Sequence, residues 1–376
     1  MNVFKKIETI SDNELHPKFK LLRDAPYYAG GRSIIEDWVT DFHDRDNKIA
    51  IEFQTSFHSA FWEFYLHAVF KEISLNISNE YNRPDFIIEG ESGFYVEAVV
   101  SEIKNGGTPE SQRTLDDHFN MLLPIKSDAE FSDLIDEAIV RHSNSIYSKV
   151  NKYTGHFNKH KKWIKGYKEC EWVDSTKPYV IALASFDQIN YGKEYIYSML
   201  ALLYGLYYSP ESKTFATKEN IVKPGTTSAI NLGIFNTDEM MDVSAIIFCN
   251  TLTLGKMSSL SKSIQHDLAH VINIRYDFEA PHFKIHEVNV ENPEHLLDGL
   301  YVFRNPNAKV KFDCNEFKKH QILDIYLDDY GLCMDGQRRS IVARYCSPMG
   351  HMYNELLVST AASEFNEEIA YEFREE

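Results

Sequence analysis

No stretch of this chain reads as membrane-spanning, exported or disulfide-stapled. The longest apolar run, near residues 197–208, is too short to cross a bilayer. The opening Met1-Asn2-Val3-Phe4-Lys5-Lys6 is not followed by the apolar core of a signal peptide. The five cysteines (Cys170, Cys249, Cys314, Cys333, Cys346) are scattered and form no Cys-x-x-Cys pair. That excludes a zinc ribbon and fits a reduced, cytoplasmic setting. There is no Gly-x-Gly-x-x-Gly and no Walker A sequence, so glycine-loop phosphate binding and ATP coupling have no support. The absence of a Gly-x-Ser-x-Gly elbow weighs against a serine hydrolase. No internal repeat, low-complexity tract or Gly-Ser linker divides the chain, which predicts one compact unit with appendages.

What is present is ample for a large core. The chain has 376 residues, of which 43% are hydrophobic and 25% charged, as in soluble globular proteins. Its net charge of −17 argues against a generic nucleic-acid binder. The distribution says more. Residues 141–168 hold one Arg and seven Lys with no Asp or Glu, a charge of +8, which leaves 31 basic against 56 acidic residues elsewhere, or −25. A basic strip on an acidic body guides a phosphate backbone to one place and repels it from others. Arg141, Lys152, Lys159, Lys161 and Lys162 are the candidate backbone contacts in it.

Three early carboxylates carry the chemistry: Glu63, Asp85 and Glu97. Asp85 heads Asp85-Phe86-Ile87-Ile88, a turn Glu89-Gly90-Glu91-Ser92-Gly93 follows, and Phe94-Tyr95-Val96-Glu97-Ala98-Val99-Val100 completes a predicted β-hairpin. A turn centred on Glu91 pairs 87 with 95 and sets Asp85 opposite Glu97. Facing like charges destabilise a sheet. A divalent cation relieves them, and hard oxygen ligands suit Mg²⁺ or Mn²⁺. Glu63 lies in a segment, residues 57–70, that is apolar nearly all round and reads as a buried helix. A carboxylate there needs a partner, a proton or a metal.

Ser127-Asp128-Ala129-Glu130 is a capping box that starts a helix with the apolar stripe Phe131, Leu134, Ile135, Ala138, Ile139, Ile146 and Val150. Arg141, Ser145, Lys149 and Lys152 share one flank of it. Strands are predicted at 177–184, 244–250, 271–276 and 283–288, with a helix at about 193–208 between the first two. Residues 1–49 read as an extension with short helices broken at Gly30-Gly31, residues 50–250 as the core, and 251–376 as a mixed extension ending in an acidic tail at 364–376. The rival chemistry is His266-Asp267-Leu268-Ala269-His270. On a helix its histidines share a face and bind zinc, with His282, His286 or Glu287 as third ligand. Asp267 stands where such motifs carry Glu, and a strand begins at Val271, so packing or surface histidines are the preferred reading.

The ordered set Phe61-Trp62-Glu63-Phe64-Tyr65-Leu66, Arg83-Pro84-Asp85-Phe86 and Val96-Glu97-Ala98 resembles the PD-(D/E)XK phosphodiesterases, the restriction-endonuclease-like nucleases, and most closely a bacterial branch of them. Further matches are Arg141 with Ile146, Lys149 and Lys152-Tyr153, then Pro178-Tyr179-Val180, Asp298-Gly299-Leu300 and Asn305-Pro306-Asn307-Ala308. The resemblance implies an α/β core with a mixed sheet flanked by helices, and a metal-dependent nuclease acting on DNA ahead of RNA. It implies metal ligation by Asp85, Glu97 and the Ala98 carbonyl, with Glu63 as the helical acid. Phage defence or toxicity is the role it suggests. The motif lysine should follow Glu97 by two positions, but Val99 stands there. In some members that lysine migrates to a neighbouring helix, and Lys149 is the candidate replacement, with Lys104 second. If neither serves, the fold is a degenerate one that binds nucleic acid or a protein. A working site is expected to hold a cation, or a water, bridging Asp85 and Glu97, with a lysine nitrogen nearby. A degenerate one is expected to leave them splayed or paired with basic side chains. A twofold homodimer is the default assembly, and the acidic tail offers an arm for a protein partner.

Overall fold

A computed structural model describes residues 1–104, 106–114, 117, 125, 127–185, 192–265, 269–276, 283–313, 315–336 and 340–347, and the backbone of strand Ile369–Tyr371. Eight strands form the main sheet: β1 (Asn76–Ser78), β2 (Phe86–Glu89), β3 (Phe94–Val100), β4 (Tyr179–Ala184), β5 (Ala245–Cys249), β6 (Tyr301–Arg304), β7 (Leu323–Asp328) and β8 (Gly331–Asp335). They lie side by side in chain order. β1, β2 and β3 are an antiparallel meander, β3, β4 and β5 run parallel, and β6 returns antiparallel to β5. The sheet is therefore mixed, with helices on both faces.

Side-chain alternation along the strands assigns the two faces. Phe86, Ile88, Val96, Ala98, Val180 and Ala182 look toward α4 (His58–Glu72) and the N-terminal helices α1 (Pro17–Asp24), α2 (Ala29–Trp38) and α3 (Ile49–Thr55). Ile87, Tyr95, Ile181 and Leu183 look toward α5 (Asp128–Thr154) and α6 (Tyr197–Tyr204). The hairpin register matches the prediction, with Ile87 opposite Tyr95 and Phe86 opposite Val96. α4 is buried along most of its length, as its all-round apolar sequence requires. α5 begins on the predicted cap, the Ser127 side chain accepting from the Glu130 N–H at 3.2 Å.

Four expectations need correcting. Gly30 and Gly31 do not break the chain but sit inside α2. A Cβ at Gly30 would stand 1.9 Å from the Ser261 hydroxyl of α7 (Leu254–Ile264), so the glycines admit a close helix crossing. The helix expected at 193–208 is only α6. Gly205 ends it at φ 76°, and Leu206–Ser209 continues as a strand. The core does not close at residue 250, because β6, β7 and β8 come from beyond it and complete the sheet. Finally, His270 begins a strand, His270–Tyr276, paired with Phe283–Glu287 and Ser340–Ser347, so it is not on a helix with His266. His266, Asp267 and His282 lie outside the described residues, as do the side chains of the acidic tail.

That second sheet is joined to α7 by a buried polar network. Glu294 is fully buried and accepts from Lys256 Nζ at 3.0 Å, Asn273 Nδ2 at 2.8 Å, Arg344 Nη2 at 2.5 Å and the Ser259 hydroxyl. Arg275 bonds Asp298 at 2.8 Å beside it. Among the described residues no helix is long and apolar enough to cross a membrane.

Candidate active site

The site lies where the hairpin end of the sheet meets a helix from each face. On β3, Tyr95, Glu97 and Val99 point toward α5, whereas Val96 and Ala98 point toward α4. Glu97 is completely buried, and α5 delivers two lysines to it. Lys149 Nζ donates to Glu97 Oε2 at 2.8 Å, and Lys152 Nζ lies 2.8 Å from Oε1. Lys149 Nζ is also 3.8 Å from Asp85 Oδ2. Asp85 is fixed by the backbone, its Oδ2 accepting from the Ala98 N–H at 2.8 Å. Aromatic packing sets the helix at this height: Tyr153 stacks on Tyr179 at 3.9 Å, and the Tyr179 hydroxyl donates to the Lys149 carbonyl at 3.1 Å.

Lys149 is thus a lysine that stands beside both Asp85 and Glu97. Val99 faces α5, and Lys149 arrives on that face from the helix. Lys104 does not take part, because its Nζ is 2.6 Å from Glu137 on an exposed flank. Arg141 departs from the expected surface role. It is 4% exposed, with its guanidinium 3.4 Å from the Ser101 and Ser185 hydroxyls beyond the ends of β3 and β4. It lines a pocket of about 400 Å³ together with Val99, Lys104 and Ser145. Lys159, Lys161 and Lys162 are exposed.

Glu63 approaches from α4 on the opposite face. The residue that joins it to Asp85 is Arg45, which sequence reasoning missed. Arg45 Nη2 is 3.2 Å from Asp85 Oδ1 and 3.7 Å from Glu63 Oε2, and Nη1 donates to the Pro84 carbonyl at 2.6 Å. A second pocket, of about 300 Å³, opens beside this group and includes Arg45, Asp85, His43 and His67. Burial, and then the Asp85 charge, push Glu63 up to about 8, so it holds its proton at neutral pH. Burial works against the charge of Lys149, but Glu97 and Asp85 outweigh it and hold the ammonium proton more firmly than usual. With Glu63 neutral, two carboxylates face three cations, and the site carries a surplus positive charge.

The folded chain binds the Glu63 proton more tightly than the unfolded chain does. This group therefore lowers stability progressively as pH rises from about 4.5 to 8. Glu63→Gln is expected to be more stable than wild type by about 4 kcal/mol at pH 8 to 9 without metal, and nearly equal to it near pH 4.5. Urea unfolding at the two pH values measures the difference. Equal stabilities at both would show that Glu63 is not held protonated.

One further group has the donor types of a metal centre: His16, His58 and Glu110, with ligand atoms within 4.8 Å of one another. Its bonding reads better as a clasp. His16 Nδ1 accepts the Lys18 N–H at 3.2 Å to cap α1, which uses the single lone pair of a neutral imidazole. Lys18 Nζ lies 3.1 Å from Glu110, and His58 Nε2 lies 2.9 Å from it. Burial opposes the Glu110 charge, but His58 and Lys18 prevail and hold it well below the usual carboxylate range. Comparison of the chain with protein-family models, curated proteins and solved structures finds no match.

Proposed function

We propose that this chain is a Mg²⁺- or Mn²⁺-dependent phosphodiesterase acting on nucleic acid, DNA ahead of RNA, on a restriction-endonuclease-like core. The observation that carries this reading is the convergence of Asp85, Glu97 and Lys149. Two oxygen-bearing side chains, one just before β2 and one on β3, meet at one ammonium nitrogen, 3.8 and 2.8 Å away. Hard oxygen donors already gathered on a cation suit a divalent ion. Asp85 and Glu97 would hold it, with the Ala98 carbonyl, and Glu63 would complete the set on losing its proton. The bound ion supplies a more acidic water and neutralises charge on the phosphate. Lys149 positions the nucleophile or stabilises the extra charge of the pentavalent phosphorus. Lys152, at the mouth, and Lys159, Lys161 and Lys162 beyond it draw in the phosphate backbone. Defence against phage or a toxin role in the cytoplasm follows from the resemblance alone.

A second reading is favoured by a specific observation. Each carboxylate of the trio has a basic partner within 4 Å, as expected of a degenerate fold that binds nucleic acid or a protein. Calorimetry with Mn²⁺, run beside cleavage of plasmid, linear and single-stranded DNA and of RNA, separates the two. The nuclease reading expects metal binding and cleavage, both abolished in Asp85→Asn. Neither binding nor cleavage in wild type would leave the binding module.

A further inference from the structure

Beyond the carboxylates, α5 ends at Gly155 and the chain turns straight into a two-stranded ribbon, Gly155–Phe157 paired with Trp163–Lys165. Phe157 and Trp163 are directly opposite one another, with ring centroids 5.0 Å apart. A soluble protein normally covers such a pair, yet Phe157 is 69% exposed, Trp163 45% and the neighbouring Ile164 41%. The ribbon is firmly seated. A Cβ at Gly155, which has φ 88°, would stand 2.6 Å from the Trp163 ring, and one at Gly166 would stand 2.1 Å from the Tyr153 carbonyl. The glycines therefore let the ribbon pack tightly against the helix end. Its turn is fixed too, the Asn158 side chain accepting from the His160 and Lys162 N–H groups at 2.9 and 3.0 Å.

This rigid aromatic face is bordered by Lys159, Lys161, Lys162 and Lys165, and residues 155–165 contain no acidic residue, on a chain whose net charge is −17. Lys165 lies 3.7 Å from Glu169, and no ion pair engages the other three among the described residues. Exposed rings set among unpaired cations match a polyanion whose bases offer flat faces. A duplex hides those faces in its stack, and a single strand does not. The position supplies the rest. Phe157 follows Lys152 by five residues, so the two are at most about 17 Å apart. That is about five nucleotides at a stacked rise of ~3.4 Å.

We propose that the 155–165 ribbon is a stacking platform for unpaired bases, and that the chain takes its nucleic acid as a single strand leading to Asp85 and Glu97. The platform rests on the nuclease reading for its purpose, and the test keeps the two apart. The wild-type chain is titrated without metal, so nothing is cleaved, against a fluorescent oligothymidylate and a duplex of the same length. The single strand is expected to bind more tightly and to quench tryptophan fluorescence. Trp163→Ala weakens it roughly 10-fold or more, and Trp163→Phe retains most of the affinity. Replacing Lys159, Lys161 and Lys162 together by Ala lowers the salt slope for the single strand by about 2. Equal affinity for duplex, or wild-type affinity in Trp163→Ala, overturns the platform. So does dissociation of a dimer by Trp163→Ala with affinity unchanged, which makes the face a contact between copies. Cleavage in Mn²⁺ is scored separately. Trp163-dependent binding without cleavage keeps the platform and removes the nuclease reading. Duplex cleavage indifferent to Trp163→Ala does the reverse.

Discussion

Lys149→Ala is expected to lose cleavage by about 10³-fold, the size of effect seen when a positioned proton-transfer group or charge-stabilising donor is removed. The reasoning is geometric. Lys149 is the basic side chain that meets both Glu97, at 2.8 Å, and Asp85, at 3.8 Å. Lys152 reaches Glu97 and is 43% exposed, so Lys152→Ala should cost only about 10-fold, mostly in substrate binding. Lys104→Ala should be neutral, since that side chain is engaged by Glu137. Val99 supplies a sharper control because it stands where the resemblance places a lysine, on the face that looks at α5. Val99→Lys added to Lys149→Ala is expected to recover part of the rate. Initial rates on one labelled substrate in Mn²⁺ compare these four variants with wild type. A Lys149→Ala chain that cleaves at the wild-type rate sinks the assignment of Lys149.

Glu294→Ala should lower stability by about 3–5 kcal/mol. Four side chains donate to this carboxylate, and Lys256 and Glu294 are both fully buried. Deleting it strands the charges of Lys256 and Arg344 away from water. The loss should appear as a lower guanidinium midpoint in the transition that includes the second sheet. pH gives an independent check. Burial opposes the Glu294 charge, but Arg344 and Lys256 overcome it and keep the carboxyl below its ordinary range. A depressed carboxylate adds stability above its unfolded value near 4.5 and loses it as pH falls. Wild type should therefore weaken more steeply below pH 4.5 than Glu294→Ala does.

The hairpin was legible because its signals are local. Alternating apolar residues and a glycine turn set the register, and the register placed Asp85 against the strand of Glu97. α5 was legible from its cap and stripe, and the flank shared by Lys149 and Lys152 follows from helical spacing alone. Arg45 was not. It reaches Asp85 across 40 residues from an irregular segment whose sequence carries no period, so nothing nearby in the chain announces it. The clasp of His16, His58 and Glu110 escaped for the same reason. Gly30 and Gly31 were misread because a glycine pair signals a break as readily as a close crossing, and only the position of α7 decides between them. Arg141 fell into the basic strip by composition, while the ends of β3 and β4 take it out of the surface.

The chain-order arrangement of the main sheet has a consequence for synthesis. Each strand joins beside the one made just before it, so none must be inserted between two that are already paired. β2, β3, α5 and β4 are all made by residue 184, which means that Asp85, Glu97, Lys149 and the strands beneath them have left the ribosome before the second half of the sheet is translated. The carboxylates and their lysines can meet while β4 is still an open edge. Closure by β5 then depends on residues made 60 positions later, and until they arrive that edge is the nascent chain's point of risk for pairing with a neighbour.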